Sequence, residues 1–131
     1  MRFTSNLKEY QGTCSFKTMS LAVFREFRDA AREMSDGRQV QDKTAVDVGM
    51  FYDAADQVRY VNLADLPEVV RFVTDVDLTG PEGEPFGLDA IKDATRCPYP
   101  VAIWLLLCYS EWLGRSLSFF RASSDDVGVS E

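Results

Sequence analysis

The stretch that most constrains the fold is Val101 to Phe120, VAIWLLLCYSEWLGRSLSFF. Read at about 3.6 residues per turn, it carries three apolar rows. Ala102, Leu106, Tyr109, Leu113 and Phe120 form one, Val101, Leu105, Cys108, Trp112 and Phe119 the second, and Ile103, Leu107, Ser110, Gly114 and Leu117 the third. Only Glu111 and Arg115, in the favourable i,i+4 order, give it a polar rib. A helix so apolar belongs in a core or against other subunits, and a chain of 131 residues has little with which to surround it. The expectation is a surplus of apolar helical surface, and with it a binding or assembly protein in place of an enzyme.

With 46% hydrophobic and 27% charged residues, the chain fits one globular domain with a real core. Its longest apolar run, Val101 to Tyr109, falls far short of the roughly 18 residues a membrane span needs, so no membrane partner is expected. The opening MRFTSNLKEYQG lacks the apolar region of a signal peptide. Cys14, Cys97 and Cys108 are odd in number and without CxxC spacing, so a reducing cytoplasm is the expected compartment. Net charge is −7 and uneven. Residues 1–41 hold seven Lys/Arg against five Asp/Glu, residues 42–131 seven against sixteen. That balance disfavours a nucleic-acid backbone as partner and favours a basic protein surface.

In chain order, Arg2 to Lys17 alternates partially around Gln11-Gly12 and predicts a short β-hairpin. Thr18 or Ser20 can cap a helix to about Met34, with Leu21, Phe24, Phe27, Ala31 and Met34 on its apolar face and Ser35-Asp36-Gly37 as its end. After a polar linker, Thr44 can cap a helix from about Ala45 to Tyr60, using Val48, Phe51, Tyr52, Ala55 and Val58. Asp65-Leu66-Pro67-Glu68 is a strong helix start, and Val69 to Thr74 reads as a short apolar helix or a strand. Asp75 to Gly87 reads as loop, Leu88 to Thr95 as a short helix, and Pro98 and Pro100 as the lead into the long helix. The fold class expected is mainly α (α+β). One helical domain spans 1–121 with its β segment in 1–17, and 122–131 is a flexible acidic tail.

The absence of histidine removes the commonest general base, the usual triads and most zinc sites. No glycine-rich phosphate loop is present, so no cofactor is expected. Asp75-x-Asp77-x-Thr79-Gly80 resembles half of a calcium loop, but the position needing glutamate is Phe86, and no metal site is assigned. Trp104 and Trp112 project about 80° apart on a helix, so both cannot be equally central to one core, and one is a candidate interface anchor. Ser110 and Gly114 offer a small-residue seam for another helix.

The passage VTDVDLTGPEGEPFGLDAI at 73–91, with Ser20-Leu21-Ala22-Val23-Phe24 before it and the Pro98/Pro100 break and closing helix after it, resembles tail assembly chaperones of long-tailed bacteriophages. The tryptophan often found in the family's central passage is missing here. The resemblance implies a non-enzymatic, mainly helical protein that self-associates and coats the tape measure protein before the tail tube polymerises, in the host cytoplasm. The partner-binding face expected is Trp104, Leu105, Cys108, Trp112 and Phe119, with the acids of 75–84 steering a basic partner. The rival readings are a small acidic inhibitor or antitoxin-like protein that occludes an enzyme, and an enzyme that works with carboxylates alone.

Overall fold

In the computed structural model, which describes residues 1–40 and 48–118 and the side chains of all of these except Ala31 and residues 33–40, strands and helices alternate. The order is β1 (Arg2–Thr4), β2 (Gln11–Phe16), α1 (Leu21–Val40), β3 (Val48–Tyr52), β4 (Val58–Asn62), a 3-10 turn (Leu63–Asp65), α2 (Leu66–Arg71), β5 (Val73–Thr79), β6 (Pro85–Phe86), α3 (Leu88–Lys92) and α4 (Tyr99–Ser116). Two sheets form: an antiparallel four-stranded one in the order β1-β2-β5-β6, and the β3-β4 pair. The fold is therefore mixed α/β, and the mainly helical expectation is corrected.

The N-terminal hairpin is present, but its turn lies at residues 5–10, and Gln11-Gly12 belong to β2. Ser5 holds that turn, its Oγ donating to the Tyr10 carbonyl at 2.5 Å and accepting from Leu7 N–H at 3.1 Å. Gly12 marks where β2 meets β5: its φ is +137°, and a Cβ there would sit 1.9 Å from the Asp77 carbonyl oxygen, so only glycine fits. β5 replaces most of the expected loop. Val76 and Leu78 point inward while Asp75, Asp77 and Thr79 point to water, a period of two hidden by the glycines and prolines that follow from Gly80. A register shift at Ser15/Phe16 lets Val73, three residues before Val76, also face inward.

The helices obey their caps more closely. Ser20 caps α1, its Oγ accepting from Val23 N–H at 3.1 Å and its carbonyl from Phe24 N–H at 2.8 Å. The helix continues through Ser35-Asp36-Gly37 to Val40, because each weak former costs only about 0.5–1 kcal/mol against a helix already nucleated. Pro67 and Glu68 start α2 as expected, and the chain leaves it at Phe72 to become β5. α3 stops at Asp93, three residues or so early, where the carboxylate captures Thr95 N–H at 2.9 Å and Thr95 Oγ1 at 2.7 Å. Pro98 and Pro100 lead α4.

α4 is the buried helix of the core. Val101 to Leu106, Cys108 and Trp112 are all buried, packed with Cys14 and Phe16 of β2, Val69 and Val70 of α2, Phe72, and Val76 and Leu78 of β5. Trp112 joins three elements: its ring stacks on Phe16 at a centroid distance of 5.4 Å and lies 5.4 Å from Phe72. Its Nε1–H donates to the Lys17 carbonyl at 2.9 Å. Phe27 of α1 reaches the same cluster through Phe72 and Tyr109. Burial, with the Asp65 and Glu68 charges, pushes the Tyr109 phenol up to about 12, so it stays neutral among these rings.

Trp112→Ala removes a fully buried indole and strands the Lys17 carbonyl. The expected loss is about 3–5 kcal/mol of unfolding free energy, read as a lower guanidinium midpoint. A midpoint equal to the wild type would place the indole at the surface.

Candidate functional site

The structure places Trp104, Leu105, Cys108 and Trp112 inside the chain's own core, where they cannot form a contact face without unfolding it. Phe119 and the tail lie outside the described residues. The apolar rows of α4 are covered by β2, α2 and β5, and of the large apolar side chains described after Tyr99 only Leu107 and Leu117 stay exposed. The Ser110 and Gly114 seam faces water with nothing packed on Gly114. Cys108 meets the thiol of Cys14, whose hydrogen bond, together with burial, pushes the Cys108 thiol up and keeps it protonated.

The acids of 75–84 line the outer face of the larger sheet. Asp75, Asp77 and Thr79 stand opposite Ser15, Thr13 and Gln11 there, and the Glu84 carboxylate accepts from Glu82 N–H at 2.8 Å within the turn. Among the described residues no three His, Cys, Asp or Glu side chains come together as metal ligands. None of the helices described is long and apolar enough to cross a membrane.

What the fold leaves open lies on the other side, beginning with the β3-β4 hairpin, which replaces the helix expected over 45–60. Its start at Thr44 and Ala45 falls outside the described residues. Of that pattern only the i,i+4 pairs Val48/Tyr52 and Phe51/Ala55 are also compatible with alternation, since residues three apart fall on opposite faces of a strand, and valine, phenylalanine and tyrosine favour strands. Asp53 decides the matter locally. Its Oδ1 accepts from Ala55 N–H at 2.9 Å and Gln57 N–H at 3.0 Å, and its Oδ2 takes Arg59 Nε–H at 2.8 Å. Asp56 adopts φ +58°, the left-handed residue that closes a three-residue hairpin loop. The Arg59 bond and the Gln57 N–H hold the Asp53 carboxyl below the usual carboxylate range, so these bonds are kept until pH falls through that lowered value.

Met50 faces Tyr60 and Tyr52 faces Val58 across the pair, so Val48, Met50, Tyr52, Val58 and Tyr60 share one face, and all five are exposed. The opposite face packs inward: a Cβ on Gly49 would lie 2.9 Å from Ile103 Cδ1 and 3.0 Å from Leu63 Cγ. The Asp53–Gln57 bond makes that pair hydrogen-bonded, and alternation then turns the backbone groups of Met50 outward. Tyr99, at the start of α4, satisfies both. Its hydroxyl accepts from Met50 N–H at 2.7 Å and donates to the Met50 carbonyl at 2.8 Å.

Beside this hairpin, and sharing Leu63 and Tyr99 with it, runs an open groove between α2, α3 and the first turn of α4, with a volume of about 770 Å³. Its lining is chiefly apolar, including Leu66, Val70, Leu88 and Ile91, and among the described residues its only charged ones are Arg71 and Lys92. Arg71 pairs with Glu68 at 3.1 Å. Cys97 also lines the groove, half-buried, and burial pushes its thiol up, so the protonated form persists there. Sequence reasoning missed both surfaces: the hairpin because its strands were assigned as helix, and the groove because it exists only where the helices α2, α3 and α4 come together. The alternation Val48, Met50, Tyr52 was the signal available.

No protein-family model, no curated protein and no solved structure matches this chain.

Tyr99→Phe deletes one hydroxyl that serves two backbone groups. Amide hydrogen exchange at Met50 should accelerate by roughly tenfold, on a loss of about 1–2 kcal/mol of local opening free energy, while exchange in β2 and β5 is unchanged. Unchanged exchange at Met50 would mean that the hydroxyl does not hold the hairpin.

Proposed function

We propose that this chain is a non-enzymatic protein-binding and assembly protein that takes an apolar helical segment of another protein into the groove between α2, α3 and α4. That is the kind of task tail assembly chaperones of long-tailed bacteriophages perform on the tape measure protein, and the resemblance at 73–91 points the same way. One observation carries the reading: the groove is open, about 770 Å³ in volume and chiefly apolar. An amphipathic helix presenting anchors at i, i+3/i+4 and i+7 is the ligand such a groove suits. The α4 face proposed from sequence is replaced by Leu63, Leu66, Val70, Leu88, Ile91 and Tyr99.

Among the described residues the lining contains no carboxylate, and its one thiol is held protonated, so apolar burial is what the groove can supply. Its charges set a local preference different from that of the whole protein. With net charge −7 the chain draws basic partners from a distance, whereas at the groove Lys92 favours an acidic residue beside the helix's apolar anchors, Arg71 being already paired with Glu68.

Titration calorimetry with synthetic amphipathic helices, among them segments of tape measure proteins, tests this. Helices with acidic flanks should bind with negative heat-capacity change, and Leu66→Glu should weaken them by about tenfold or more, while circular dichroism stays native. Absence of binding by every such helix, or equal binding by Leu66→Glu, would sink the reading.

A further inference from the structure

The β3-β4 hairpin carries five apolar side chains into water on one face, and the groove does not use them. Tyr52, Tyr60 and Met50 are 74%, 65% and 57% exposed, with Val48 and Val58 beside them. We infer that this face seats the same face of a second copy of the chain, packed about a two-fold axis. The inference extends the assembly reading by naming a surface, but it rests on the hairpin alone and does not need the groove to bind anything.

Charge selects this occupant. None of the five side chains is charged, and Asn62, opposite Val48, is the one polar neighbour in the register. Arg59 belongs to the other face by alternation and is held by Asp53 at 2.8 Å. Among the described residues a nucleic acid would find no cation on this face, and a basic partner no carboxylate. The face laid on itself brings no like charges together, and self-complementarity is what a two-fold interface requires.

Area points the same way. Five side chains this exposed present on the order of 500 Å², toward the upper end of the range for the largest patch of a free monomer, where such patches are often functional, and two copies together would bury at most about 1,000 Å², the size at which specific interfaces begin. A two-stranded sheet is also marginal alone. Here its inner face rests on Leu63 and Ile103, and a second hairpin across the outer face would complete a sandwich layer.

Sedimentation velocity and light scattering on the full chain, at micromolar concentration and increasing salt, test the inference. The wild type should run at twice 14.8 kDa. Its dimer should tighten with salt, since screening relieves the repulsion between two protomers of charge −7. Tyr60→Lys and, separately, Tyr52→Lys should each raise the dissociation constant at least tenfold and keep the native circular dichroism. Tyr52 is the most exposed of the five, so its variant carries the test if Tyr60→Lys fails to fold. A wild type at 14.8 kDa throughout, a dimer that weakens with salt, or an oligomer that neither variant alters would overturn the inference. Helix binding by the groove, measured on the same variants, should persist; its loss in the wild type would fail the groove reading and leave this one standing.

Discussion

The stacking of Trp112 against Phe16 and Phe72, with its indole N–H on the Lys17 carbonyl, is the contact on which the rest of the fold hangs. It ties a strand, the exit of α2 and the long helix in one place. Phe72 is where the chain leaves α2 and enters β5, so the same aromatic contact sets the position of the strand that pairs with β2. The groove depends on it at one remove, since its walls are α2, α3 and the first turn of α4.

Helix starts marked by a cap or a proline were legible, while the stop expected at Ser35-Asp36-Gly37 and the turn expected at Gln11-Gly12 were not kept. Ser20 capping α1, Pro67 and Glu68 opening α2, and Pro98 and Pro100 leading α4 are decided within a few residues, and each stands where the sequence placed it. Strands were not legible in the same way. Asp75 to Thr79 has a period of two, but its outward positions are polar and acidic and a glycine- and proline-rich turn follows directly, so it reads as loop, while Val73 and Thr74 before it read as the end of a short apolar helix or a strand. Val48 to Asn62 satisfies both periods in part, and what tips it is the web of bonds from Asp53 to Ala55, Gln57 and Arg59.

Those two misreadings produced the third. α4 has more apolar surface than the chain can hide only if β5 and the β3-β4 pair are left out of the count. With them restored, Val76 and Leu78 join the core under the helix and Gly49 lies against Ile103. The residues that looked like a contact face are interior, and the surfaces left open belong to elements the sequence reading had not assigned as strands. The candidate site was thus illegible for a physical reason: exposure is a property of the whole packing, and one missing strand moves it from one element to another.

Both tryptophans of this chain sit inside the fold, Trp112 fully enclosed and Trp104 nearly so. Their ultraviolet emission therefore reports whether the interior is intact and is nearly blind to events on the hairpin or in the groove. The five tyrosines are split: Tyr109 stays with the core rings and Tyr10 lies against Phe86, while Tyr52 and Tyr60 stand in water on the hairpin and Tyr99 spans hairpin and groove. The indoles thus report integrity, and the phenols report it together with contact.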